Sequence, residues 1–231
     1  MLIVGASGGH GTAAAWACAA AGARVVLAGR RVPALERLYD ELDAAGHEAA
    51  LYPINLEGAQ PDDFDQLGQT LQQEFGGLDG LVLAAGRLQG LAALEHLDGS
   101  EWLRTWHVHV NVAFLLWRAC LPALRQAQGT LIVYLDDPAR CEHALWGAYG
   151  VAQAALRAFV AIAGEESSRL GPRVLGLLAP PCRTNLNLRA FPASPPDRFC
   201  PPERIAPAVV DLLAQPGMTG SVYDARPLAA D

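Results

Sequence analysis

The chain contains no lysine; all 17 of its basic residues are arginine. That absence excludes Schiff-base chemistry, a phosphate-loop lysine and a lysine paired with a catalytic tyrosine. Charged residues are only 18% of the 231, the net charge is −7, and no basic run is longer than Arg30-Arg31. Nucleic acids and anionic membranes need a positive stripe, so neither is expected as a partner, and a small molecule is. The five cysteines (Cys18, Cys120, Cys141, Cys182, Cys200) are odd in number and lack any C-x-x-C. Neither a disulfide framework nor a zinc knuckle can be read from them, and a reducing cytoplasm is the expected location. His107-x-His109 points to two faces of a helix with no Glu or Cys to complete a ligand set, so no metal site is expected. No apolar run reaches the ~20 residues of a membrane span, and residues 13–23 lack the basic flank of a signal peptide.

What the chain does have is apolar residues, 52% of the total, arranged as strands alternating with helices from the first residue. Strands are expected at 2–4, 24–28, 50–54, 78–84, 130–135, 173–178 and 221–223. Helices are expected at 12–21, 33–45, 62–75, 100–126, 146–170 and 202–214. Strands apolar on both faces and separated by helices require a parallel sheet covered on both sides. The expectation is one doubly wound α/β domain over residues 1–231, Rossmann-like, with about seven strands in three α/β/α layers. Residues 180–202 hold seven prolines. Such a segment after a strand's carboxyl end is read as a substrate lid or as an ordinary surface loop.

The first strand runs into Gly5-Ala6-Ser7-Gly8-Gly9-His10-Gly11 and then a helix. Glycines at a first strand-to-helix turn let backbone N–H groups and a helix N-terminus approach a pyrophosphate. At the end of the second strand, where a site preferring NAD carries an acid, the sequence reads Gly29-Arg30-Arg31. Glycine makes room and a guanidinium can hold a 2′-phosphate, so NADP(H) is favoured over NAD(H).

Read with Asn111 in Val110-Asn111-Val112-Ala113-Phe114, Tyr149 in Tyr149-Gly150-Val151-Ala152-Gln153-Ala154-Ala155-Leu156, and Pro180-Pro181-Cys182-Arg183-Thr184, the chain resembles the short-chain dehydrogenase/reductase family over nearly its whole length. Gly5, Gly9 and Gly11 match the family's glycine pattern, with Val4 in place of its threonine. The resemblance implies cofactor contacts from Ser7, His10, Arg30, Arg31, Asn55 beside adenine, Ala85-Gly86, Pro180 and Thr184, with Tyr149 and Gln153 at the nicotinamide end. It also implies a homodimer or homotetramer, in which the helix bearing Trp102, Trp106 and Trp117 packs on its copy.

The family's proton relay uses a tyrosine, a serine, a lysine and an asparagine. The resemblance assigns Tyr149 and Asn111 to two of these roles, puts Asp136-Asp137 where the serine is expected, and puts Gln153 in place of the lysine. Losing an ammonium and gaining a carboxylate beside a phenol raises its pKa, which penalises alcohol oxidation more than carbonyl reduction. Asp136 or Asp137, if neutral, would hold a substrate oxygen as a hydrogen-bond donor. Arg157 lies two turns beyond Tyr149, too far to replace the lysine, while Arg140, His143 and Arg183 come from loops near the expected crevice and are candidates to supply a charge, at positions the sequence does not give. Two functions follow: a reductase of a small carbonyl compound with Tyr149 as acid, or a catalytically silent NADP(H)-binding sensor or supporting subunit. A third reading makes Asp136 or Asp137 an independent base.

Overall fold

Among the described residues one sheet of seven parallel strands organises the fold, in the order β3-β2-β1-β4-β5-β6-β7. The strands are β1 (Leu2–Val4), β2 (Val25–Gly29), β3 (Ala49–Pro53), β4 (Gly80–Leu83), β5 (Thr130–Leu135), β6 (Arg173–Leu178) and β7 (Ser221–Asp224). The computed structural model describes residues 1–169, 171–215 and 217–229. Strands β1, β2 and β4 are buried at every position, whereas the edge strands β3 and β7 are partly exposed. This is what a parallel sheet roofed on both faces demands of its centre and allows at its margins.

One face carries α3 (Pro61–Phe75), α5 (Val112–Ala127) and α7 (Gly147–Ser167), packed around Phe64, Leu67, Leu116, Leu124 and Val160. The other carries α1 (Gly9–Ala20), α2 (Val32–Ala44) and α9 (Ala206–Ala214), packed around Ala14, Leu35, Leu42 and Val209. Helix α1 can lie close because it is built of small residues: a Cβ on Gly11 would stand 2.1 Å from the Gly5 carbonyl oxygen.

The elements depart from expectation at five places. Helix α1 begins at Gly9 rather than Thr12, so His10 and Gly11 belong to its first turn. The long helix over 99–127 consists of α4 (Gly99–Trp106), one π turn (His107–Asn111) and α5. The segment read as a helix from Pro202 is a 3-10 turn at Pro202–Arg204 followed by α9. Two short helices, α6 (Pro138–Cys141) and α8 (Asn185–Ala190), form where only loop was expected. The expected end of α7 at Leu170 lies outside the described residues.

Helical residues 99–127 and 147–167 are long and apolar enough, by composition, to cross a membrane, which the search for unbroken apolar runs missed. About half of each such stretch is buried in this fold, where it supplies the side facing the sheet. Trp117 is in that core; Trp102 and Trp106 are half-buried and stack with ring centres 6.5 Å apart.

Candidate active site

In the strand order the sheet reverses between β1 and β4, and loops leaving the carboxyl ends of the strands there part to either side, opening a crevice. It holds about 290 Å³ and is lined from β1, β2, β4, β5, α7 and the proline-rich loop. The turn after β1 forms its floor. Gly5 has φ +87°, and a Cβ there would meet the Ala85 backbone nitrogen at 2.7 Å, so only glycine lets the turns after β1 and β4 touch. A Cβ on Gly9 would press on Thr184 at 3.0 Å, so the proline-rich loop closes directly onto the turn. The first N–H groups of α1 have no partner within their helix and suit an anion.

Ionic groups occupy the outer end. Arg31 donates to the Ser7 carbonyl oxygen, and Arg30 pairs with Glu57. Glu57 also accepts from Arg87 at 2.9 Å, and Arg87 reaches on to Glu101. Asn55 lines the same end, its Oδ1 accepting from the Glu57 N–H at 3.3 Å.

At the inner end the Tyr149 hydroxyl donates to Asp136 Oδ2 at 2.8 Å. Arg140 forks onto the same carboxylate, with Nε 2.9 Å from Oδ1 and Nη2 on Oδ2. Arg140 Nη1 also donates to Asn187 Oδ1 at 2.7 Å, and Asn187 Nδ2 donates to the Cys182 carbonyl at 2.7 Å. Gln153 Oε1 accepts from the Asp136 backbone N–H at 2.9 Å, which leaves the Gln153 amide nitrogen as its group for the crevice. Burial, then the Asp136 charge, hold the Tyr149 phenol well above its ordinary pKa, and Arg140 opposes them only in part. His10 stacks on Tyr134 with centres 4.7 Å apart. Burial lowers the His10 pKa to about 4 against the pull of Asp136. His10 Nδ1 and Tyr134 Oη have no hydrogen-bond partner among the described residues.

Most residues singled out in the sequence converge here: Gly5, Ser7, Gly9, His10, Arg30, Arg31, Asn55, Ala85, Gly86, Asp136, Tyr149, Gln153, Pro180 and Thr184 all line the crevice. Three do not. Gly11 serves the packing of α1 described above. Asp137 caps α6, accepting from Ala139 N–H at 2.9 Å, and pairs with Arg226 at 2.7 Å. Asn111 is exposed, its amide 3.4 Å from His107 Nδ1. The π turn inserts an extra residue into the helical repeat and rotates the face that follows, so the helix presents His109 inward instead. His109 lies edge-on to Tyr149 at 5.3 Å, with Nε2 3.0 Å from both the N and O of Arg87, and burial lowers its pKa to about 4.

Asp136 accepts at both of its oxygens. Oδ1 accepts from Arg140 and, at 2.7 Å, from the Asp137 N–H; Oδ2 accepts from Tyr149 and Arg140. Four donors of the chain itself thus occupy the carboxylate. Sequence reasoning missed Asn187, Arg87 and Tyr134, whereas Arg140, a candidate to supply a charge, does so at Asp136. The i, i+4 spacing of Asp136 and Arg140 was the one signal that pointed to the ion pair. Of the other loop residues left unplaced, Arg183 and His143 do not line the crevice; Arg157, on α7, pairs with Glu142.

The comparisons agree with this architecture. A family model for short chain dehydrogenases matches residues 1–193. The uncharacterized oxidoreductase YciK of Escherichia coli K12 is 28% identical over 98% of this chain and 91% of its own. A Shigella flexneri chain provisionally assigned as a short chain dehydrogenase, solved with NADP, superposes with a TM-score of 0.92 at 28% identity, covering 98% of this chain and 96% of that one. A similarly assigned chain from Escherichia coli CFT073, solved with NADPH, gives 0.92 at 29% identity, over 98% and 95%. With the parallel sheet, the glycine turn at its reversal and Tyr149 at the inner end of the crevice, the matched length leaves one assignment: the chain belongs to the short chain dehydrogenase family and is an oxidoreductase by kinship.

Proposed function

We propose that the protein binds NADP(H) in this crevice and reduces a small carbonyl compound, with Tyr149 as proton donor. The observation that carries the reading is the Tyr149–Asp136–Arg140 network at the inner end of a crevice whose floor is the glycine turn. The similar structures solved with NADP and NADPH support the choice of cofactor. Gly9 and the first turn of α1 would hold the pyrophosphate, Arg30 and Arg31 the 2′-phosphate, Asn55 the adenine side, and Gly86, Pro180 and Thr184 the nicotinamide end. The bound cofactor would supply the hydride.

The chain's own residues then set the direction. A phenol held above its ordinary pKa stays protonated at neutral pH, which suits an acid and works against the phenolate that alcohol oxidation needs. Asp136 orients the hydroxyl, and Arg140 balances the carboxylate so that a negative phenol oxygen after proton transfer is not left beside an unpaired charge. Gln153 contributes a neutral amide where a lysine would contribute charge.

A second reading, a catalytically silent NADP(H) binder, is favoured by the direction of the Tyr149 O–H bond, which points to Asp136. The two separate in one experiment: NADPH oxidation over a panel of aldehydes and ketones, with Tyr149→Phe as the control. The reductase reading expects turnover to drop by roughly 10²–10⁴ in the variant while NADPH still binds. A wild type that binds NADPH and turns over none of the panel establishes the silent reading instead, and turnover undiminished in Tyr149→Phe removes the tyrosine's acid role.

A further inference from the structure

The two ends of the proline-rich loop meet beside the inner end of the crevice. There Cys182 and Cys200 face each other in an isolated parallel bridge. Cys200 N–H donates to the Pro181 carbonyl at 3.1 Å, and Arg183 N–H donates to the Cys200 carbonyl at 2.8 Å. Paired residues of neighbouring strands lie roughly 4.8 Å apart with side chains on the same face. A disulfide spans Cα separations of about 4.4–6.8 Å. The Cys200 thiol donates to the Pro201 carbonyl oxygen at 3.3 Å, and both thiols are free.

We propose that Cys182 and Cys200 form a redox-modification site, at which a hydroperoxide drives a reversible disulfide that clasps residues 183–199 at their base. The pair is asymmetric in the way such chemistry requires. Cys200 is partly exposed and meets the oxidant, whereas Cys182 is fully buried and burial keeps its thiol protonated. The Cys200 thiolate attacks the peroxide, the O–O bond breaks, and an alkoxide or hydroxide leaves to take up a proton, giving a sulfenic acid. The Cys182 sulfur then attacks the Cys200 sulfur, the S–O bond breaks, and the thiol proton leaves with the hydroxyl as water. Two thiols lose two electrons and the peroxide gains them.

The remaining thiols are poor competitors, because burial pushes Cys18 and Cys141 up to about 11 and Cys120 to about 12. The clasp would also sit one hydrogen bond from the inner site. Asn187, on the clasped segment, links the Cys182 carbonyl to Arg140 and so to Asp136 and Tyr149. Formation of the disulfide does not depend on the proposed function; any effect on the cofactor does.

The test is hydrogen peroxide treatment of the full chain, alkylation of free thiols, and tryptic peptide mapping without reduction. The expected product joins peptides 174–183 and 199–204 and separates again with dithiothreitol, while Cys18, Cys120 and Cys141 stay reduced. Cys200→Ser should slow oxidation of Cys182 at least tenfold, and Cys182→Ser should leave a sulfenic acid on Cys200 that dimedone traps. Wild-type protein oxidised at Cys200 with Cys182 still free would overturn the proposal. So would oxidation of Cys182 at the wild-type rate in Cys200→Ser. A parallel NADPH titration of the reduced protein reports on the proposed function separately.

Discussion

Asp136 determines what Tyr149 can do. Its carboxylate takes the tyrosine's hydroxyl and the Nε–Nη2 edge of Arg140, and the Asp136 and Arg140 side chains are only 7% and 17% exposed. Removing one partner of a buried pair leaves an uncompensated charge, at a cost of about 3–5 kcal/mol. Arg140→Gln should lose stability on that scale in urea unfolding at neutral pH, and an unchanged midpoint would show that the pair is not buried as described. The same logic separates His109 from Asn111. If the reductase reading holds, His109→Ala should cut turnover at least tenfold by releasing the edge contact on Tyr149, and Asn111→Ala should leave it within twofold. Equal losses, or the reverse order, would restore Asn111 to the site. The motif pointed to Asn111 by residue type and spacing, and spacing assumes a regular helix. A π turn breaks that assumption without leaving a mark in the residue pattern, and so His109, weighed only with His107 as a metal ligand, was not read as a neighbour of Tyr149.

At the level of elements, strands were legible because burial on both faces leaves unbroken apolar runs such as Leu2–Val4 and Thr130–Leu135. The helices α6 and α8 were not, being too short for a hydrophobic period. Side chains cap them instead: Asp137 accepts from Ala139 N–H, and Thr184 accepts from Asn187 N–H at 3.3 Å. The π turn buries His109 and the start of α1 half-buries His10 against Tyr134, and the desolvation takes both down to about 4. Folded-state values below the unfolded ~6.5 mean that between those limits the unfolded chain binds protons the folded chain refuses. The stability is complete above pH 6.5 and declines as pH falls toward 4, by roughly 3 kcal/mol per histidine in all. Urea midpoints at pH 7.5 and 5.0 should differ accordingly, and the double variant His10→Leu, His109→Asn should flatten the difference. An equally steep loss in the double variant would assign it to carboxylates.

For the whole molecule, the alternation of strands and helices was enough to place the crevice, since a doubly wound sheet opens where its strand order reverses. Its two ends were legible to different degrees. The glycine turn and Arg30-Arg31 are contiguous in sequence, whereas the inner network joins β5, α6, α7 and α8 across residues 136 to 187 and exists only once the chain is folded. At the outer end Glu57 already occupies Arg30, so a 2′-phosphate must share or displace that carboxylate while Arg31 stands beside it. The difference between NADPH and NADH therefore weighs the whole reading in one quantity. Calorimetric titration of the reduced protein with each nucleotide should give binding of NADPH at least tenfold tighter than NADH, and Arg30→Ala/Arg31→Ala should erase the gap. Binding of neither nucleotide, or of both equally, would contradict the assignment of the crevice to NADP(H).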